Sequence, residues 1–192
     1  MPYHIEAEKI GLDDLRKRIE TTDLVPSRAS LIESISEKML ALEKYGIKTL
    51  ASLRHELKSA KRLEAVAGAT GIDMQYLILL RREIESYFPE PARLKDLACI
   101  PVDTLERLEQ KGIVNTAVLF EATNSAIKRS ELAKTTGIDA ATLEFLSHLA
   151  DLMRVQWVSP LFGRMLIMAG YDGAVKVASA CAENLCDSLA II

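Results

Sequence analysis

An all-α fold is predicted by three observations. Helix formers dominate, with Ala, Leu, Glu, Lys and Arg abundant and aromatics only 5% of the 192 residues. No stretch sustains the period-2 alternation of β-branched residues that a strand requires. The chain also writes one stretch twice: Leu42-Glu43-Lys44-Tyr45-Gly46-Ile47 returns as Leu108-Glu109-Gln110-Lys111-Gly112-Ile113, and Thr70-Gly71-Ile72-Asp73 as Thr136-Gly137-Ile138-Asp139. Each glycine recurs 66 positions on, so the copies align without a gap, and a repeat at such a period decides the architecture before any single residue does.

Composition narrows the function classes. No basic segment followed by an apolar run opens the chain, and no run of 18 uncharged apolar residues spans a membrane, so a cytoplasmic protein is expected. Cys99, Cys181 and Cys186 lack CxxC spacing and His4, His55 and His148 are scattered, so neither a disulfide framework nor a metal site is expected. The net charge of −3 argues against a protein basic throughout, yet residues 38–72 carry +4. Such a block attracts a polyanion or forms a solvated helix face.

The elements follow in order. Residues 1–33 read as a lead-in: a helix from about Leu12 to Glu20 with Asp13 and Asp14 in its first turn, a break at Leu24-Val25-Pro26-Ser27, and a short helix to about Glu33. Residues 34–88 form the first repeat. Ser34 and Glu37 fit a capping box, Ile35, Met39, Leu40 and Leu42 share an apolar face, and Gly46 closes the helix in a left-handed conformation. Short helices then start at the N-caps Thr49 and Ser59, the second stopping at Gly71. Asp73 caps a longer helix to about Tyr87, with Leu77, Leu80 and Ile84 inward and Arg81, Arg82, Glu83 and Glu85 in solvent. Phe88-Pro89-Glu90-Pro91 is the boundary, because two prolines in three residues stop a helix.

Residues 89–154 repeat the pattern with Leu94, Leu97 and Ile100-Pro101, a helix to Gly112, short helices from about Asn115 and Ser125, a stop at Gly137 and an Asp139-capped helix to about Arg154. Residues 155–192 start a third, shortened copy: Ser159-Pro160 suits a cap and first turn, and Gly170-Tyr171 takes the place of Gly46-Ile47. Its apolar stretch, including Leu161, Met165 and Met168, predicts self-association or a docked protein partner.

Two short helices joined by a tight turn and closed by glycine resemble a helix-hairpin-helix motif, most closely at Trp157-Val158-Ser159-Pro160-Leu161-Phe162-Gly163-Arg164-Met165-Leu166-Ile167-Met168-Ala169-Gly170. With Thr22-Asp23-Leu24-Val25-Pro26-Ser27-Arg28, Arg81-Arg82-Glu83-Ile84-Glu85-Ser86-Tyr87 and the two Gly-Ile-Asp steps, nearly the whole chain is similar to a bacterial domain family of unknown function built of tandem helix-hairpin-helix-like units. The resemblance implies that fold and, as partner, nucleic acid held at its phosphates. The positions matching the usual hairpin glycine read Ile35-Ser36, Ile100-Pro101 and Val158-Ser159, and Pro101 and Pro160 each remove an N–H. Side chains are then expected to substitute: Lys58, Lys61 and Arg62, with Lys128 and Arg129 in the second copy. No nucleotide loop, HExxH or GxSxG appears, so no enzyme, cofactor or small-molecule substrate is expected. A protein-interaction scaffold that has lost the phosphate contacts is the alternative function.

Overall fold

The computed structural model describes residues 2–192, and among them the secondary structure is helical, with two isolated bridges and no strand. Two compact units divide the chain, residues 5–87 and residues 2–4 with 88–192. The first holds α1 (Leu12–Thr21), a 3₁₀ segment Pro26–Ile32, α2 (Ile35–Lys44), α3 (Leu50–Glu56), α4 (Ala60–Thr70) and α5 (Met74–Glu85). The second holds α6 (Val102–Gln110), α7 (Thr116–Thr123), α8 (Ala126–Thr136), α9 (Ala140–Leu152), α10 (Pro160–Met168), α11 (Ala174–Ser179) and α12 (Ala182–Ala190). Helices α3, α4 and α5 begin 66 residues before α7, α8 and α9, the spacing of the written repeat.

The repeated words are helix-terminating devices. At Gly46 the chain takes φ +107, its N–H donates to Glu43 O (3.0 Å), and the Ile47 N–H donates to Leu42 O (3.0 Å). These are the two bonds of a Schellman motif, and buried Leu42 and Ile47 supply its apolar contact. Gly112 (φ +73) repeats it with Glu109 and Leu108, and Gly170 (φ +88) with Ile167 and Leu166. The Thr-Gly-Ile-Asp word works differently. Thr70 Oγ1 donates to Val66 O (2.7 Å) and accepts from the Ile72 N–H (3.3 Å), Gly71 turns left-handed, and Asp73 Oδ1 accepts from the Gln75 and Tyr76 N–H groups at the start of α5. Thr136, Gly137 and Asp139 repeat the arrangement between α8 and α9.

The other N-caps also form: Thr49, Ser59, Asn115, Ser125 and Ser159 each accept a backbone N–H of the first turn they precede. Ser34 does not. It sits at φ +48 with no side-chain cap bond, because the chain leaves the 3₁₀ segment through a left-handed turn that carries the hydroxyl away from the third N–H of α2. The predicted Ser34/Glu37 box is therefore absent. Leu40 departs as well: α2 buries Ile35, Met39 and Leu42, at i, i+4 and i+7, and leaves Leu40 50% exposed.

In the first unit, α1, α2, α3 and α5 each contribute to the core, burying Leu15, Ile19, Leu42, Leu53, Leu77 and Ile84. Glu83, expected in solvent, is 3% exposed and forms an ion pair with Arg28 of the 3₁₀ segment. A carboxylate on an inward face is tolerable only with such a partner, and a helical period assigns the face without revealing that partner. The Tyr76 hydroxyl ties the same segment to α5 by donating to Leu31 O (2.8 Å).

In the second unit, Leu108, Leu119, Leu143, Leu146 and Leu149 join Tyr3, whose hydroxyl is bonded to Thr116 (2.9 Å). Gly163 lets α10 approach α9 closely, since a Cβ there would lie 2.9 Å from Leu149 Cδ1. Helices α11 and α12 contain no buried residue.

Candidate nucleic-acid interface

The first-unit cations stand where a helix begins. Ser59 caps α4 by accepting the Arg62 N–H (3.4 Å), which places Lys58 just outside the helix and Lys61 in its first turn. Both lysines are exposed. Arg62 is half-buried and engaged, its Nη1 donating to Glu56 Oε1 (3.2 Å) and His55 O (3.4 Å). Arg54, also in the basic block, makes a two-pronged pair with Glu85 (2.9 and 2.8 Å). Of the seven cations in residues 38–72, these two are thus partly neutralised, and the field at the mouth of α4 comes chiefly from Lys58 and Lys61 with the helix N-terminus.

The second-unit cations do not copy this arrangement. At the 66-residue offset Lys58 corresponds to Asn124, Lys61 to Ile127 and Leu63 to Arg129, and only Arg62 meets a cation, Lys128. Lys128 Nζ donates to Glu121 O (2.6 Å) and Arg129 Nη1 to Thr123 O (2.9 Å). Lys128 is exposed, while Arg129 is half-buried and lines a cavity that the sequence gives no sign of. The hairpin positions are as closed as the sequence implies: Ile100 is buried, Pro101 precedes α6 without an N–H to offer, and Ser159 spends its hydroxyl on the Phe162 N–H (3.2 Å). Gly46, Gly71, Gly112, Gly137 and Gly170 all have positive φ and serve helix ends.

Among the described residues no three His, Cys, Asp or Glu side chains group so as to hold a metal ion, and no helix is long and apolar enough to cross a membrane. Cys181 has its thiol pulled below the ordinary value by the Asn184 and Glu183 N–H groups at the start of α12, and it is exposed. Asp139 is likewise held low by Thr142, a consequence of its cap.

Fold and surface together define an all-helical protein whose helix ends are closed by recurring sequence words. Residues 98–192 match the model of a family described as a domain of unknown function (DUF4332). The Gly137-Ile138-Asp139 step and the Trp157–Gly170 stretch lie within the match; residues 22–28 and 81–87 lie outside it. Comparison with the curated proteins and with the solved structures finds no match.

Proposed function

We propose that the chain is a non-enzymatic binding module of helix-hairpin-helix-like units that holds nucleic acid by its phosphate backbone. The observation that carries this reading is the exposed pair Lys58 and Lys61 flanking the capped N-terminus of α4, within a block of charge +4. A helix N-terminus with two cations offers phosphate both a dipole and point charges. With aromatics at 5% of the chain there is little to stack on bases, so contacts are to the backbone, indifferent to sequence and weakened steeply by salt. An electrophoretic mobility-shift series with duplex, single-stranded and RNA probes at two salt concentrations tests it. Binding lost in a Lys58→Glu/Lys61→Glu variant supports the reading. No shift of any probe at about 50 mM salt, where weak phosphate binders remain visible, rejects it.

A second reading, a protein-interaction scaffold, is favoured by a separate observation. Trp157, Leu161 and Met168, in α10 or just before it, are 66%, 66% and 68% exposed, large apolar side chains left on the surface. This reading expects no probe to shift, and an apolar surface engaged by a protein.

A further inference from the structure

Within the second unit a cavity of about 380 Å³ opens beside α8, α9 and α11, inside the range of small-molecule sites (about 300–1,000 Å³). Three cations from three elements line it: Arg129 of α8, Arg154 just after α9, and Lys176 of α11. Each is held in place. Arg129 Nη1 donates to Thr123 O (2.9 Å), a carbonyl that also accepts from Ser147 Oγ (3.1 Å). Arg154 lies with its guanidinium 5.0 Å from the Phe120 ring centroid, and its Nε donates to Asp151 Oδ1 (2.6 Å). Lys176 Nζ donates to Asp172 Oδ2 (2.8 Å).

Both carboxylates of the lining are already committed, since Asp151 Oδ2 also accepts the Ala174 N–H at the start of α11 (2.9 Å). The three cations exceed the two carboxylates by one charge, which disfavours a metal ion and favours an anion.

The cavity lies where the two copies differ. At the 66-residue offset Phe120 and Asp151 correspond to Arg54 and Glu85, which in the first unit pair directly. With Phe at 120 that pair cannot form, and Asp151 turns to Arg154 and α11 instead. Arg129 correspondingly replaces Leu63, a buried core residue of the first unit.

We propose that this cavity binds a phosphate group, inorganic or as a monoester of a small molecule, through Arg129, Arg154 and Lys176. Three cations lining one cavity suit a tetrahedral group with three or four acceptor oxygens, and planar guanidinium forks match such oxyanions. A carboxylate, with two oxygens in one plane, would engage fewer of them. The site does not depend on the nucleic-acid reading, because Lys58 and Lys61 belong to the other unit.

The test is titration of the full chain, followed by NMR amide shifts, with inorganic phosphate, glycerol phosphate and acetate. Phosphate or its ester should saturate with shifts confined to the cavity lining, the two arms distinguishing the free ion from the monoester, while acetate should not saturate. Charge-assisted hydrogen bonds of this kind make Arg129→Leu and Lys176→Gln each weaken binding by about 10-fold or more. Lys58→Glu/Lys61→Glu should bind as the parent does. Lys176 is exposed, so its variant decides the matter even if Arg129→Leu fails to give the parental helical spectrum. Absence of saturation by either phosphate probe at about 10 mM, where a site of millimolar affinity would be mostly filled, overturns the proposal. So does equal binding of acetate, or parental affinity in Lys176→Gln.

Discussion

At the scale of single residues, the five left-handed glycines and one buried carboxylate carry the sharpest consequences. Gly112 has φ +73 and open space around its missing Cβ, so a substitution there is strained by backbone conformation alone. Gly112→Ala should cost about 1 kcal/mol, lowering Tm by a few degrees, and Gly112→Asn should cost less because Asn tolerates the left-handed region. Equal melting of both variants with the parent would show that this Schellman end is not needed. Glu83 is a different case. Arg28→Ala leaves a carboxylate that is 3% exposed without its cation, a change that typically costs about 3–5 kcal/mol, whereas Arg28→Ala with Glu83→Leu should recover much of the loss. Urea unfolding of the single and double variants measures both. The glycines were legible because a residue in a special conformation leaves its mark at one position. Glu83 was not, because its partner lies 55 residues away and nothing local announces the pair.

At the scale of elements, caps decided how much could be read. Thr49, Ser59, Asp73, Asn115, Ser125, Asp139 and Ser159 are short-range signals that act on the next turn, and each one forms. Ser34 carries the same signal and fails, because the incoming 3₁₀ segment, not the helix, sets its φ. That segment is pinned to α5 by Tyr76, whose burial, followed by the nearby Glu33 charge, pushes its hydroxyl from the ordinary 10.0 up to about 12. The folded state therefore holds this proton more tightly than the unfolded chain does. The stabilisation is complete below pH 10 and is lost as pH rises through the interval from 10 to about 12. Tyr76→Phe should flatten that alkaline loss, which ultraviolet titration of phenolate together with circular dichroism would follow. A slope unchanged by the substitution would assign the loss to another group.

At the scale of the whole molecule, the written duplication gave the order of helices but not the chemistry between them. The cavity at Arg129 and Arg154 arises from pairs of positions that have diverged between copies, and reading it required knowing that residues 129, 154 and 176 meet. Sequence spacing places such residues on helices; only packing brings the helices together. The third stretch shows the same limit in reverse, since its apolar run reads equally well as core or as contact surface, and Trp157 proves to be outside. Trp157 is also the only tryptophan in the chain. Its indole at 66% exposure makes the protein its own optical reporter: emission should sit at the long wavelength of a wet fluorophore and be open to quenching by iodide. Any molecule that covers Trp157 and the start of α10 should shift that emission to the blue, so a single light-emitting side chain reports occupancy of this surface without a label.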